Sequence, residues 1–206
     1  MKITSFIVLA FILNLTITAG ETGDGWVLEK NKDDIRIWTR KTGESKIKSI
    51  KAIAIYDASI AQLTSVLTDI EAYPKWMSDV ETTKILKKVS ENEMYYYLLL
   101  DVPWPLSNRD NVVHLKLEND PETKSIKATV EGHADYIPEN PGVVRVPNSM
   151  GVWMLNPVGE GKTELIFEYT ADPGGNIPAW AVNMFIIDGP FKTLSNLREF
   201  IKTDKH

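Results

Sequence analysis

From Asp34 to Ala171 apolar and polar residues alternate in short runs broken by turn residues, and after Asn176 the chain changes to one long repeat of threes and fours. A period of two belongs to half-buried strands and a period near 3.6 to an amphipathic helix, so the two regions cannot trade structures. Strands are expected at 34–40, 46–56, 82–90, 93–102, 108–118, 124–133, 143–146 with 151–155, and 162–171. Asn119-Asp120-Pro121-Glu122 and Gly159-Glu160-Gly161 supply turns, which makes consecutive strands antiparallel neighbours. One helix starts at Ser59 as N-cap, places Ile60, Leu63, Val66, Leu67 and Ile70 on one face, and ends at Tyr73-Pro74. The other begins near Asn176 with Pro178 in its first turn. Its apolar face carries Trp180, Met184, Ile187, Phe191, Leu194, Leu197 and Ile201, with a kink expected at Gly189-Pro190. The economical arrangement is α+β: a curved antiparallel sheet wrapped around a long C-terminal α-helix.

Such a sheet needs a chain long enough to fill or enclose its concave side. Met1 to Gly20 reads as an export signal: Lys2, then an apolar run, then Thr18-Ala19-Gly20 as a small-residue cleavage point. The alternative is an uncleaved anchor, but Ser5, Asn14 and Thr16 dilute a run of about 17 residues where a span needs about 20. Residues 21–206 then form one domain of 186 residues with 22 basic and 28 acidic side chains, against a net charge of −5 for the whole chain. That acidity and the lack of a long basic stretch exclude a nucleic-acid partner. With no cysteine there is neither a disulfide nor a thiolate ligand. A periplasmic or secreted location follows from the signal.

Alternation assigns the inward faces. Arg109, Asn111, Val113, Leu115 and Leu117 share one face of their strand, and Asp110, His114, Lys116 and Glu118 the other. Ile126, Ala128, Val130 and Gly132 point inward on the next strand, Tyr96, Leu98 and Leu100 on the preceding one, and Leu165, Phe167 and Tyr169 on the last. The side chains at 128 and 132 are small, which leaves either space or close backbone contact. An apolar interior of this kind is the pattern of a hydrophobic-ligand cavity and also of a filled core, which composition alone favours.

Catalytic signatures are absent from the sequence. There is no Gly-x-Ser-x-Gly elbow, and Pro178 removes an amide donor from the phosphate-site reading of Asp172-Pro173-Gly174-Gly175. Glu131-Gly132-His133 has ligand-like alternation, but on an outward strand face with no third partner in sight, so no metal is expected. Lys84, Lys87, Lys88 and Lys46, Lys48, Lys51 read as solvated strand edges that could also meet anionic lipid head groups.

Five segments in order carry a family resemblance: Trp26 with 34–40; Asp69-Ile70-Glu71-Ala72-Tyr73-Pro74-Lys75-Trp76; Pro103-Trp104-Pro105-Leu106-Ser107-Asn108-Arg109-Asp110; Gly142-Val143-Val144-Arg145-Val146 with Gly151-Val152-Trp153; and Asp172-Pro173-Gly174-Gly175-Asn176-Ile177-Pro178. Over 25–203 the chain resembles the START family of lipid-binding domains, in the helix-grip superfamily. The resemblance implies a hydrophobic cavity between sheet and C-terminal helix, holding one lipid-like molecule, with that helix as part of the gate. Candidate ligand contacts are then Tyr96, Leu98, Arg109, Asn111, Val113, Leu115, Ala128, Val130, Arg145, Trp153, Phe167, Trp180, Met184, Ile187 and Phe191. Positions that carry charge in sterol-binding members fall near Tyr96 and Leu115, which are uncharged. The resemblance implies a non-catalytic, monomeric carrier without a cofactor, in transient contact with membranes. Helix-grip relatives that are polyketide cyclases or hydrolases supply the alternative, an enzyme acting on a hydrophobic substrate.

Overall fold

The structure is a computed structural model that describes residues 24–41, 48–175, 177, 178, 181 and 184–203. The export signal expected at 1–20 lies outside the described residues. Among those residues ten strands form one sheet: β1 (Val27–Lys32), β2 (Ile35–Lys41), β3 (Lys48–Tyr56), β4 (Val80–Ser90), β5 (Glu93–Leu100), β6 (Arg109–Asn119), β7 (Ile126–Gly132), β8 (Val144–Arg145), β9 (Asn148–Gly159) and β10 (Lys162–Asp172). Their order across the sheet is β1-β2-β3-β10-β9-β7-β6-β5-β4, with β8 beside β6. The expected α+β class holds.

Helix α1 (Ile60–Thr68) opens as anticipated, with Ser59 Oγ accepting from the Gln62 amide at 3.2 Å. It ends sooner than its apolar spacing suggested. A 3₁₀ turn (Ile70–Ala72) and a short α2 (Tyr73–Trp76) follow, and Pro74 opens α2 rather than closing α1, because proline needs no amide partner in a first turn. The C-terminal segment runs as a π-helical turn (Met184–Asp188) and then as α3 (Gly189–Thr203). The change of winding falls where Gly189-Pro190 predicted a kink.

Two connections depart from simple neighbour pairing. β7 is followed not by an antiparallel partner but by β8, which lies parallel to β6, while β9 returns to pair with β7. β3 and β10, far apart in sequence, join the two halves of the sheet. β1 carries no apolar alternation, since Glu29, Lys30, Asn31 and Lys32 make a polar edge. Asp33 and Asp34 adopt φ of 52° and 57° in the two-residue turn that folds β1 back on β2.

The core lies between the inner face of the sheet, α1, α2 and α3. Ile35, Ile37, Ala52, Ala54, Leu63, Ile70, Trp76, Leu115, Leu155, Leu165, Leu194 and Leu197 are all buried there. From Thr193 onward the C-terminal segment is tied down by polar bonds as well. Tyr56 Oη donates to the Leu194 carbonyl (2.9 Å), Gln62 Nε2 to the Ile201 carbonyl (3.1 Å), and the Ser78 amide to Thr193 Oγ1 (3.1 Å). The near half rests on a half-exposed ion pair, Lys30 to Asp188 at 2.9 Å, with the same ammonium 4.2 Å from the Phe191 ring centroid.

Candidate functional site

Register places the inward residues in rows. Leu98, Asn111 and Gly132 lie near one end of the sheet; Met94, Leu115, Val130, Gly151 and Tyr169 line up across five strands. Trp153 stacks on Phe167 with centroids 3.9 Å apart, and Phe167 in turn on Tyr169 at 5.6 Å. Tyr73 stands edge-on to both Trp76 (5.1 Å) and Tyr96 (5.8 Å). The interior is thus apolar and aromatic, with alanines at 52, 54 and 128 on the sheet floor.

Into this interior a few polar groups project. Asn111 Nδ2 donates to Ser149 Oγ at 2.9 Å. Gly132 makes that contact feasible: a Cβ there would stand 2.5 Å from Ser149 Oγ and 3.3 Å from Asn111 Oδ1. Its small size therefore serves close approach, not empty space, which decides the alternative left open by the sequence. Tyr73 donates to the Leu67 carbonyl at 2.7 Å. Burial pushes the Tyr73 and Tyr96 hydroxyls well above the usual phenol range and raises that of Tyr169, so all three stay neutral and none is a ready base.

Four buried polar atoms meet no hydrogen-bond partner among the described residues: Trp76 Nε1, Arg109 Nε, Asn111 Oδ1 and, on the outer face of the sheet, His133 Nε2. Arg109 is 4% exposed, bonds the Ser107 carbonyl through Nη1, and faces no carboxylate among those residues. Burial pulls its pKa down. An unpaired buried guanidinium is costly, and an anionic group brought to it would recover that cost.

Arg145 is a correction. It was a candidate ligand contact, yet its guanidinium sits on the other side of the sheet. Nε and Nη2 donate to Asp110 Oδ1 (2.7 Å) and Oδ2 (3.1 Å), Nη1 to the carbonyls of Ala134 (2.5 Å) and Ile137 (3.1 Å), and Nη2 also to Pro138 (3.2 Å). All five guanidinium donors are engaged in holding the 134–138 loop against β6, so none is left for a ligand. Hydrogen bonding to Asp110 raises the Arg145 pKa.

A model of the START domain matches residues 13–205. The chain belongs to the START domain family. Among solved structures, a STAR-related lipid transfer protein of Xanthomonas axonopodis is similar at 34% identity and a TM-score of 0.81, over 87% of this chain and 100% of that one. An uncharacterised protein of Pseudomonas aeruginosa is 34% identical over 91% of this chain and 96% of its own length. The phosphatidylcholine transfer protein of mouse is 28% identical over 79% of this chain and 77% of its own.

On this START frame the remaining candidates fall as follows. Tyr96, Leu98, Val113, Leu115, Ala128, Val130 and Trp153 are buried on the inner face, beside Arg109 and Asn111. Phe167, Ile187 and Phe191 are half-buried. Trp180 lies outside the described residues, and of Met184 only the backbone, in the π turn, is described. Sequence reasoning missed Ser149 because it lay between two expected strand pieces, whereas β9 runs unbroken from Asn148. Tyr73 was hidden as the supposed end of a helix, and Tyr169 was read as inward but not counted among the ligand contacts.

Proposed function

We propose that this chain binds one lipid or other hydrophobic molecule between the inner face of the sheet and the C-terminal helix, and carries it without altering it chemically. The observation that carries this reading is the buried Arg109 guanidinium, which faces no carboxylate and leaves Nε without a hydrogen-bond partner among the described residues, with the unpartnered Asn111 Oδ1 two residues along the same face of β6 in a largely apolar interior. Burial of acyl or ring carbons supplies affinity at roughly 25 cal/mol per Å² of apolar area, and the polar groups orient the head group. The printed names of the Xanthomonas and mouse relatives, both transfer proteins for lipid, support the ligand class. Catalysis would require a general acid or base aimed at the ligand, and the inward-facing strand positions described here offer neither imidazole nor carboxylate.

Exchange uses the near half of the C-terminal helix as a gate, with the change from π to α winding at Gly189 as its hinge. Trp104, 90% exposed in the loop between β5 and β6, supplies a membrane contact, since an indole favours the head-group boundary. The lysines of the 82–90 region lie on β4 at the sheet edge, suited to anionic head groups. The carrier acts as a monomer, exported to the periplasm or beyond.

The test is a detergent-free preparation of the chain, native mass spectrometry, and extraction of what is bound. One lipid per chain is expected. Arg109→Met should lower affinity for anionic lipids while leaving the ligand-free chain at least as stable, because it removes an uncompensated buried charge. A chain that arrives empty and takes up neither fluorescent fatty acid nor phospholipid overturns the proposal.

A further inference from the structure

The outer face of the sheet, opposite the lipid-facing interior, carries a second constellation. His114 on β6 stands directly across from Glu131 on β7, and His133 follows two residues after Glu131 on the same face. The pairing of β6 with β7 thus supplies the third partner that Glu131-Gly132-His133 lacked in the linear sequence. One ligand atom from each of His114, Glu131 and His133 falls within 4.8 Å of the others. We propose that these three residues form a binding site for a divalent transition-metal ion, with zinc(II) as the fitting case.

Four features favour a metal over a solvated strand face. First, the donor set is two imidazoles and one carboxylate, which suits zinc with a fourth position left open. Second, His133 Nε2 is buried and has no hydrogen-bond partner among the described residues, although a buried imidazole nitrogen ordinarily finds one. Third, His114 Nε2 lies 2.8 Å from Glu93 Oε1. A carboxylate accepts, so the proton of neutral His114 sits on Nε2 and the lone pair on Nδ1, the arrangement in which an outer carboxylate fixes the tautomer of a metal ligand. Fourth, the rings are held in place. Tyr95 stacks on His114 (4.4 Å between centroids) and on Tyr136 (4.6 Å), and meets His133 edge-on at 5.5 Å.

The charges also balance, since Glu93 and Glu131 together neutralise a dication bound by two neutral imidazoles. Zinc bonds of about 2.0–2.1 Å in a tetrahedral set put ligand atoms about 3.3 Å apart. Glu131 is exposed and engages no hydrogen bond or ion pair among the described residues, so its side chain can close the difference by rotation. Binding there would tie the end of β7, and the loop that Arg145 clamps, to β6.

The experiment is a zinc(II) titration of the EDTA-treated, untagged full chain against a chromophoric chelator, with imidazole NMR on the same samples. One zinc per chain is expected, shifting the ring signals of His114 and His133 and leaving His206 unmoved. His114→Gln or His133→Gln should abolish stoichiometric binding, and Glu93→Gln should weaken it by about 10-fold or more. His206→Ala should bind as the parent does. Circular dichroism in EDTA checks that each variant is folded. If the folded His114→Gln and His133→Gln chains bind zinc like the parent, or the parent binds none stoichiometrically, the site does not exist.

Discussion

Arg145 grips both carboxylate oxygens of Asp110, at 2.7 Å and 3.1 Å, with the two side chains 3% and 1% exposed. Asn140 Nδ2 reaches the same Asp110 Oδ2 at 3.1 Å and the Tyr97 hydroxyl at 3.1 Å, so one carboxylate organises a strand, a loop and β8. Removing one member of a buried pair strands the other charge. Arg145→Met is expected to cost about 3–5 kcal/mol. At about 2–4 °C per kcal/mol for a domain of this size, the melting temperature falls by roughly 6–20 °C. The Asp110→Leu/Arg145→Met double variant recovers much of the loss, and chains that remain folded bind ligand normally. Loss of ligand binding at full stability would return Arg145 to the binding site.

Gly132 and Ala128 lie four residues apart on one strand face, yet substitutions there should separate. Gly132→Ala drives a methyl to 2.5 Å from Ser149 Oγ and splits the Asn111–Ser149 bond, a steric cost of about 1–3 kcal/mol that denaturant unfolding reads directly. Ala128→Leu extends a side chain beside Trp153 and Leu117 on the sheet floor and competes with the ligand for room. Reduced lipid uptake in that variant, larger than its loss of stability, is the expected result. Equal effects at both positions would mean that neither borders the ligand.

How much of this was legible beforehand depended on whether a residue's role is local or set across strands. Alternation placed Arg109, Asn111, Leu98 and Ala128 on the inner face, because parity within a strand survives without knowledge of neighbours. It also gave Asp110 and His114 their outward side. What Arg145 touches is fixed by β8 lying parallel to β6, a pairing with no signature in the chain, so its role was misjudged. The His114–Glu131 pairing was hidden for the same reason. β1 went unseen because a polar edge strand carries no alternation, and Ser149 because a gap was assumed where the strand continues.

The buried tyrosines make stability fall at high pH. Burial raises the hydroxyl pKa of Tyr56, Tyr73, Tyr96 and Tyr169 in the folded chain above the ordinary value of 10.0. The unfolded chain therefore loses these protons first. Stability from the four groups is intact below about pH 10 and declines above it, by at most about 1.4 kcal/mol per pH unit for each group until its folded-state pKa is reached. Denaturant midpoints should be level from pH 8 to pH 9.5 in this respect and drop steeply by pH 11. Tyrosinate absorbance from these four should appear together with loss of structure. A smooth titration of all seven tyrosines near pH 10 in a folded chain would contradict their burial.

The C-terminal helix is fastened unequally, and the gate proposed for its near half rests on that asymmetry. Leu194, Leu197 and the bonds from Tyr56 and Gln62 anchor its far half, and truncating Leu197 to alanine there should cost about 2–5 kcal/mol. Its near half is held by Lys30 and Asp188, whose side chains are 29% and 50% exposed. An exposed pair of this kind contributes about 0.2–1 kcal/mol, too little to alter the melting temperature much. The same energy, if it is lost on opening, changes an opening equilibrium by about 1.4- to 5-fold. Asp188→Asn should therefore speed the transfer of fluorescent phosphatidylcholine between vesicles by that factor with equilibrium stability almost unchanged, and high salt should speed the parent chain toward the variant's rate. Leu197→Ala acts in the opposite sense on the two readouts, with a large loss of stability at the anchored end. If Asp188→Asn transfers lipid no faster than the parent at low salt, the near half of the helix is not the part that opens.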